Sequence, residues 1–224
     1  MGEMIESIAH QWRQPLNIIG LAVAEIEMKR SFGLLKEEEI EKNSTIINNN
    51  LAFMSNTIDD FRNFFNTDKK SVHFDPIGPI HEIFALIGEQ LRYANITYRI
   101  DEQCHKEIFG VVNEFKQVIL NIVNNAKEAI KSKHNSTEGK IDVILRCDAT
   151  HFYIDISDTG GGISPSIQER IFEPYFTTKL HEKGTGIGLY MSKVIIEKHF
   201  EGLLSVSNNR EGALFTLSIP LGRE

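Results

Sequence analysis

Apolar residues recur at intervals of seven through the first 66 residues, and this period leaves few folds open. Ile5, Trp12, Ile19 and Ile26 form one series, with Ala9, Leu16 and Val23 as its companion. The pattern breaks around Ser31-Phe32-Gly33 and restarts at Lys36-Glu37-Glu38-Glu39. Beyond the break, Ile40, Ile47, Met54 and Phe61 form one series and Leu51, Ile58 and Phe65 the second. Alternating three- and four-residue spacings place these side chains on one seam of a helix that packs on other helices. The expectation is a helical hairpin with arms of about 28 and 30 residues. One long coiled coil is the competing fold, and Gly33 with the acidic restart weighs against it. Two helices alone leave exposed flanks, so a dimer that forms a four-helix bundle is the natural completion.

The text changes character near residue 67. Residues 67–72 read as a polar linker, and beyond them strands and helices alternate. Val72–Phe74 reads as a short strand and Ile77–Arg92 as a helix behind Pro76. Ile96–Ile100 reads as a strand, and Glu114–Ser132 as a helix capped by Asn113. Ile141–Cys147 and Phe152–Ser157 form a hairpin, followed by a helix over Gly188–His199 and strands at Leu203–Ser207 and Ala213–Ile219. The fold class is therefore α+β: an N-terminal helical hairpin, then an α/β sandwich of about 150 residues with helices on one sheet face.

Composition excludes several classes. Of 224 residues, 41% are hydrophobic and 25% charged, too apolar for a disordered chain. A formal charge of −7 argues against nucleic acid as a partner, because such binding draws its affinity from Lys and Arg on phosphates. The same balance is awkward for a chain that holds a polyphosphate, unless positive potential is supplied locally. The two cysteines, Cys104 and Cys147, read as buried free thiols rather than a disulfide framework or zinc site. The longest apolar stretch, Gln14 to Ala24, is about half of what a membrane span needs. A cytoplasmic location is expected for this chain, with a membrane anchor left open for the full-length protein.

Four segments carry chemistry. On the helix after Asn113, Asn121 and Asn125 sit four apart, so both amides project from one face. Helix interiors disfavour Asn, and a neutral amide oxygen suits Mg²⁺ that already carries phosphate oxygens and waters. Asp158-Thr159-Gly160-Gly161-Gly162-Ile163 follows a strand; its carboxylate can accept from an exocyclic amine, and its glycines admit close backbone approach. As a lone motif it would be an ordinary turn. An aromatic segment, Phe172 to Lys179, ends in Phe176, Thr177, Thr178 and Lys179. Then comes Gly184-Thr185-Gly186-Ile187-Gly188-Leu189, which exposes backbone N–H groups to an anion at a helix start.

Taken in this order, the four segments resemble the Bergerat-type ATP-binding domain shared by histidine kinases, DNA gyrase, mismatch-repair ATPases and one class of chaperones. The resemblance covers residues 67–224. It implies ATP and Mg²⁺ as cofactors, Asn121 as metal ligand, Asn125 near the phosphates and Asp158 on the adenine amine. It implies Gly160, Gly162 and Ile163 around the base. Phe176 to Lys179 and Gly184 to Leu189 would bind nucleotide beside a short mobile lid over roughly 178–183.

Within that group, Ser7-Ile8-Ala9-His10-Gln11-Trp12-Arg13-Gln14-Pro15-Leu16-Asn17 resembles the phospho-acceptor box of sensor histidine kinases. With Ala9 and Trp12 on the seam, His10 falls beside it, five residues before a helix-kinking proline. Histidine is mostly neutral at pH 7, so a ring nitrogen is available for phosphoryl transfer. The resemblance makes His10 the phosphoacceptor, with Gln11, Arg13 and Gln14 around it. Two departures matter. Many relatives carry an acidic residue directly after the histidine, where this chain has Gln11. ATP-hydrolysing cousins place a water-activating glutamate four residues before the metal-binding Asn, where this chain has Gln117. Gln14 occupies the position from which some family members hold water for dephosphorylation, and that activity stays open.

The implied organisation is 1–66 as dimerisation and phosphoacceptor domain and 67–224 as catalytic ATP-binding domain. The partners would be a second copy, through residues 1–66, and the aspartate of a response-regulator receiver domain. So little chain precedes His10 that an upstream sensory domain is expected in a longer protein.

Overall fold

The structure, a computed structural model, describes residues 2–65, 70–133, 138–178 and 186–222. The described residues divide into two compact units, one of 2–65 with Thr177 and Thr178, the other of 70–133, 138–176 and 186–222.

The first unit holds α1 (Gly2–Ser31) and α2 (Glu37–Phe65), the hairpin that the heptad pattern predicts. α1 carries Pro15 and ends on Lys29 and Arg30; α2 opens on Glu37, Glu38 and Glu39. These charges suit the helix dipoles at their respective ends. Lys29 Nζ bridges Glu25 and Glu39 at 2.6 Å each, joining the last turn of α1 to the first of α2. The interior differs from the seam that the spacing marks. Ala22 and Asn43 are buried, whereas Leu16, Val23, Ile40 and Leu51 stay exposed. Trp12, Ile19, Ile26, Ile47 and Met54 of the same seam are half-buried.

The second unit contains β1 (Val72–Phe74), α3 (Ile77–Tyr93), β2 (Ile96–Glu102), β3 (Ile108–Gly110), α4 (Val112–Lys133), β4 (Gly139–Cys147), β5 (His151–Asp158), α5 (Gly188–Val194), β6 (Leu203–Asn208) and β7 (Ala213–Pro220). Asp75 accepts from the Ile77 N–H and starts α3. α4 begins at Val112, so Asn113 lies in its first turn rather than at its cap. α5 runs on through π-type turns at Ile195–His199. β3 has too few residues to carry a periodic signal; it pairs antiparallel with β1.

The main sheet has the order β2-β4-β5-β7-β6, with β2 parallel to β4 and every other pair antiparallel. One face of it is apolar: Ile141, Val143 and Leu145 on β4, Phe152, Ile154 and Ile156 on β5, and Phe215, Leu217 and Ile219 on β7 are buried. Ile80, Phe84, Ile87 and Leu91 of α3 and Phe115, Val118, Ile119, Ile122 and Ile130 of α4 complete this core. Each such side chain contributes roughly 1.5–3 kcal/mol by leaving water. On the other face Arg146 and Thr216 both bond the Asp155 carboxylate at 2.7 Å.

The cysteines correct the reading of free thiols: Cys104 and Cys147 form a disulfide across a Cα separation of 5.7 Å. The parallel register pairs Glu102 with Leu145, so two further residues along each strand bring the thiols together. That register joins segments 43 residues apart, which local spacing does not reveal.

Candidate nucleotide-binding site

Asp158 closes β5 and is 5% exposed. Its Oδ1 accepts from the Gly160 N–H at 2.6 Å and from the Ala213 N–H at 3.3 Å. Burial pushes its carboxyl above the usual range, while those two N–H groups and Lys133 pull the other way. A buried carboxylate with one oxygen held by backbone amides is a rigid acceptor.

The loop after Asp158 is tied down on several sides. Gly161 N–H bonds the Glu211 carbonyl at 2.9 Å, and Thr159 N–H bonds the Lys140 carbonyl at 3.2 Å. Lys133, at the end of α4, donates to the carbonyls of Thr159 and Glu211 at 3.2 Å each. At the far end, Asn208 Oδ1 accepts from Ile163 N–H at 2.9 Å and its amide nitrogen donates to Ile163 O at 2.7 Å. Gly160 packs so tightly on α4 that a Cβ there would lie 2.6 Å from Ala129 Cβ.

α4 forms the wall opposite. Asn121 and Asn125, both half-buried, share a helix face with Ala129, the residue against Gly160. Asn121 Nδ2 points to the Gly188 carbonyl at 3.3 Å and to Ser192 Oγ at 3.4 Å, and the buried Ser192 hydroxyl donates to Gly188 O at 2.9 Å. Both amide hydrogens are thus engaged.

The aromatic segment and second glycine run bound the site further. The Arg170 guanidinium lies 4.7 Å over the half-buried Phe176 ring. Gly186 has φ +64°, accepts at its carbonyl from the Tyr175 N–H at 2.9 Å, and could not carry a Cβ, which would meet the Tyr175 carbonyl carbon at 2.4 Å. Ile187 is buried; Gly188 and Leu189 open α5. Thr177 and Thr178 are exposed. Lys179, Gly184, Thr185 and nearly all of the expected lid lie outside the described residues. His10, Gln11 and Gln14 sit on α1, but their side chains also lie outside the described set; Arg13 is exposed.

Four contributors escaped the sequence reading. Gly212 abuts Asp158, Asn208 and Lys133 anchor the glycine loop, and Ser192 meets Asn121. Gly212 and Asn208 flank an ordinary-looking turn, and only the fold of β6 onto β7 brings them to β5.

A sequence model of the histidine kinase-, DNA gyrase B- and HSP90-like ATPases matches residues 110–223, and the chain belongs to that family. Its likeness to sensor histidine kinases extends past the ATPase domain through the helical hairpin, so it is a histidine kinase catalytic core. The two-component sensor PprA of Pseudomonas aeruginosa is 27% identical over 99% of this chain. Sporulation kinase A of Bacillus subtilis is 29% identical over 98%. This chain spans only 24% and 34% of those two proteins. Among solved structures, the catalytic domain of histidine kinase ThkA is 30% identical, with a TM-score of 0.61 over 67% of this chain and 97% of that domain. ThkA in complex with the response regulator TrrA is 26% identical, with a TM-score of 0.75 over 99% of this chain and 62% of that one. The ATPase domain implies that the site binds ATP. Among the described residues no helix is long and apolar enough to cross a membrane.

Proposed function

We propose that the chain is the core of a sensor histidine kinase that phosphorylates its own His10 from Mg·ATP and passes the phosphoryl group to an aspartate of a response-regulator receiver domain. Residues 1–66 act as the dimerisation and phosphoacceptor domain and 67–224 as the catalytic domain. The observation that carries this reading is the α4 face. Asn121, Asn125 and Ala129 run in a row of about 12 Å, from the glycines that open α5 to the Asp158 loop. That row matches a ligand with a purine at one end and a polyphosphate at the other.

Asp158 Oδ2 would accept from the adenine amine, since Oδ1 is committed to backbone N–H groups. Gly160, Gly162 and Ile163 would line the base, and Gly184, Gly186 and Gly188 would present N–H groups to phosphate. Phe176 to Lys179, with Thr185, Ile187 and Leu189, would flank the triphosphate. Asn121 suits Mg²⁺ because its amide nitrogen is occupied, while among the described residues its oxygen has no hydrogen bond. Among the described residues no cluster of acidic, His or Cys side chains competes for the ion. Mg²⁺, when bound, neutralises phosphate charge.

A ring nitrogen of His10 attacks the γ-phosphorus, the bond to the β,γ-bridging oxygen breaks, and ADP leaves. Gln11 would orient the ring through its carbonyl, and Arg13 and Gln14 would border the acceptor. Gln117 offers no base to activate water, which favours delivery to His10 over hydrolysis. A second copy would cover the exposed Leu16, Leu21, Val23, Ile40 and Leu51 of the hairpin. A sensory segment upstream, and a membrane anchor in the full-length protein, fit the short share of its relatives that this chain spans.

The test is incubation with γ-labelled ATP and Mg²⁺, followed by a chase with a receiver domain. An acid-labile, alkali-stable label that moves onto the receiver supports the reading. Sustained phosphate release with no labelled protein contradicts it.

A further inference from the structure

Asn208 ends β6, outside the four motif segments, yet it grips the main chain of the base-pocket loop from two sides. Its Oδ1 receives the Ile163 N–H at 2.9 Å and its Nδ2 donates to the Ile163 carbonyl at 2.7 Å. Gln168 adds a second bond to the same carbonyl at 3.2 Å. The contact also dictates the residue beside it: a Cβ on Gly162, whose φ is +79°, would lie 2.8 Å from Asn208 Oδ1. So Gly162 is glycine at least partly because Asn208 approaches it, not only to admit a nucleotide.

Gly160, Gly161 and Gly162 are consecutive, and glycine loses more backbone freedom on ordering than any other residue. The Gly160 N–H that fixes the Asp158 carboxylate sits at the near end of this run, and Gly161 is anchored to Glu211. Without Asn208 the far end of the run keeps, among the described residues, only the single bond from Gln168. Nucleotide binding would then have to order it, and that cost is subtracted from affinity.

We propose that Asn208 is a positioning residue for nucleotide binding: its two-pronged hold on Ile163 pre-orders the Gly160–Gly162 loop around the base. This rests on reading Asp158 as the adenine acceptor. Two neutral hydrogen bonds are lost in Asn208→Ala, and the expected result is an affinity for ATP about tenfold weaker. ADP weakens by the same factor, because the defect is at the base end, while the phosphorylation rate at saturating ATP is unchanged. Asn208→Asp, which keeps the acceptor and loses the donor, should fall between.

Nucleotide titration of the whole chain, with hydrogen exchange at Ile163 and the glycine amides, tests this. Faster exchange confined to residues 160–163 with equal losses for ATP and ADP supports it. Unchanged ATP affinity in both Asn208 variants overturns it, as does a loss for ATP but not ADP. Should Asn208→Ala fail to fold, Asn208→Asp is read by the same criteria. Asp158→Asn separates the two ideas: if it leaves ATP affinity intact, the adenine reading itself fails. If it abolishes binding while Asn208 variants bind normally, only the positioning role falls.

Discussion

Gly212 lies against Asp158 so closely that a Cβ on the glycine would come within 2.0 Å of the Asp158 carbonyl oxygen and 2.4 Å of its Oδ1. The turn before β7 therefore closes directly on the carboxylate and delivers the Ala213 N–H to it. Gly212→Ala should displace either β7 or the carboxylate. A loss of ATP affinity of tenfold or more, with a lowered melting temperature, is the expected result. Wild-type affinity in this variant would mean that the contact does not matter.

Asp158 also sets a pH dependence. Its carboxyl is raised above the ordinary value, chiefly by burial. The folded state thus disfavours its ionised form, and the free domain gains stability as pH falls through the raised value toward the unfolded one. ATP affinity moves the opposite way, because the adenine amine needs the ionised acceptor. Affinity titrated against pH should fall on the acid side with a midpoint above the ordinary carboxylate range, and Asp158→Asn should bind weakly at every pH. The bond at stake is to a charged group, about 1.5–3 kcal/mol, or roughly 10- to 100-fold in affinity. A flat profile would contradict the assignment.

Ser192 accepts from the Asn121 amide while donating to Gly188. Ser192→Ala leaves Gly188 O as the remaining partner of that amide nitrogen. The expected result is an apparent Mg²⁺ affinity about fivefold weaker at fixed nucleotide, the worth of one hydrogen bond, with metal-free nucleotide binding unchanged. Metal titration followed by fluorescence of a bound ATP analogue reads this out.

Reducing Cys104–Cys147 opens a cross-link spanning 43 residues of sequence. A loss of about 2–4 kcal/mol in folding stability follows from the freedom returned to the unfolded chain. Denaturant titrations with and without reductant measure it, and Cys147→Ala should be indifferent to reductant. Equal stability in both conditions for the native chain would refute the cross-link.

What the text of the chain revealed, and what it hid, divides along the reach of each interaction. The hairpin arms, the amide pair Asn121 and Asn125, and the strand ending at Asp158 are legible because each is carried by local periodicity or by glycine chemistry. The disulfide is not, because the parallel pairing of β2 with β4 sets it. Nor are Asn208, Gly212 and Lys133, whose partners arrive only when β6, β7 and α4 converge on the loop. The heptad seam is a further case. Leu16 and Leu51 repeat as core residues should, yet they are exposed in a single hairpin. Their spacing fits the second copy proposed to complete the bundle.

In the proposed reaction, ATP bound beside Asn121 and Asp158 delivers its γ-phosphoryl group to His10. The most direct measurement is incorporation of γ-labelled phosphate into wild type, His10→Gln and Asn121→Ala, with labelled peptides mapped. An acid-labile label is expected on the peptide containing His10 in the wild type, and none in either variant. Label that persists in His10→Gln would contradict it.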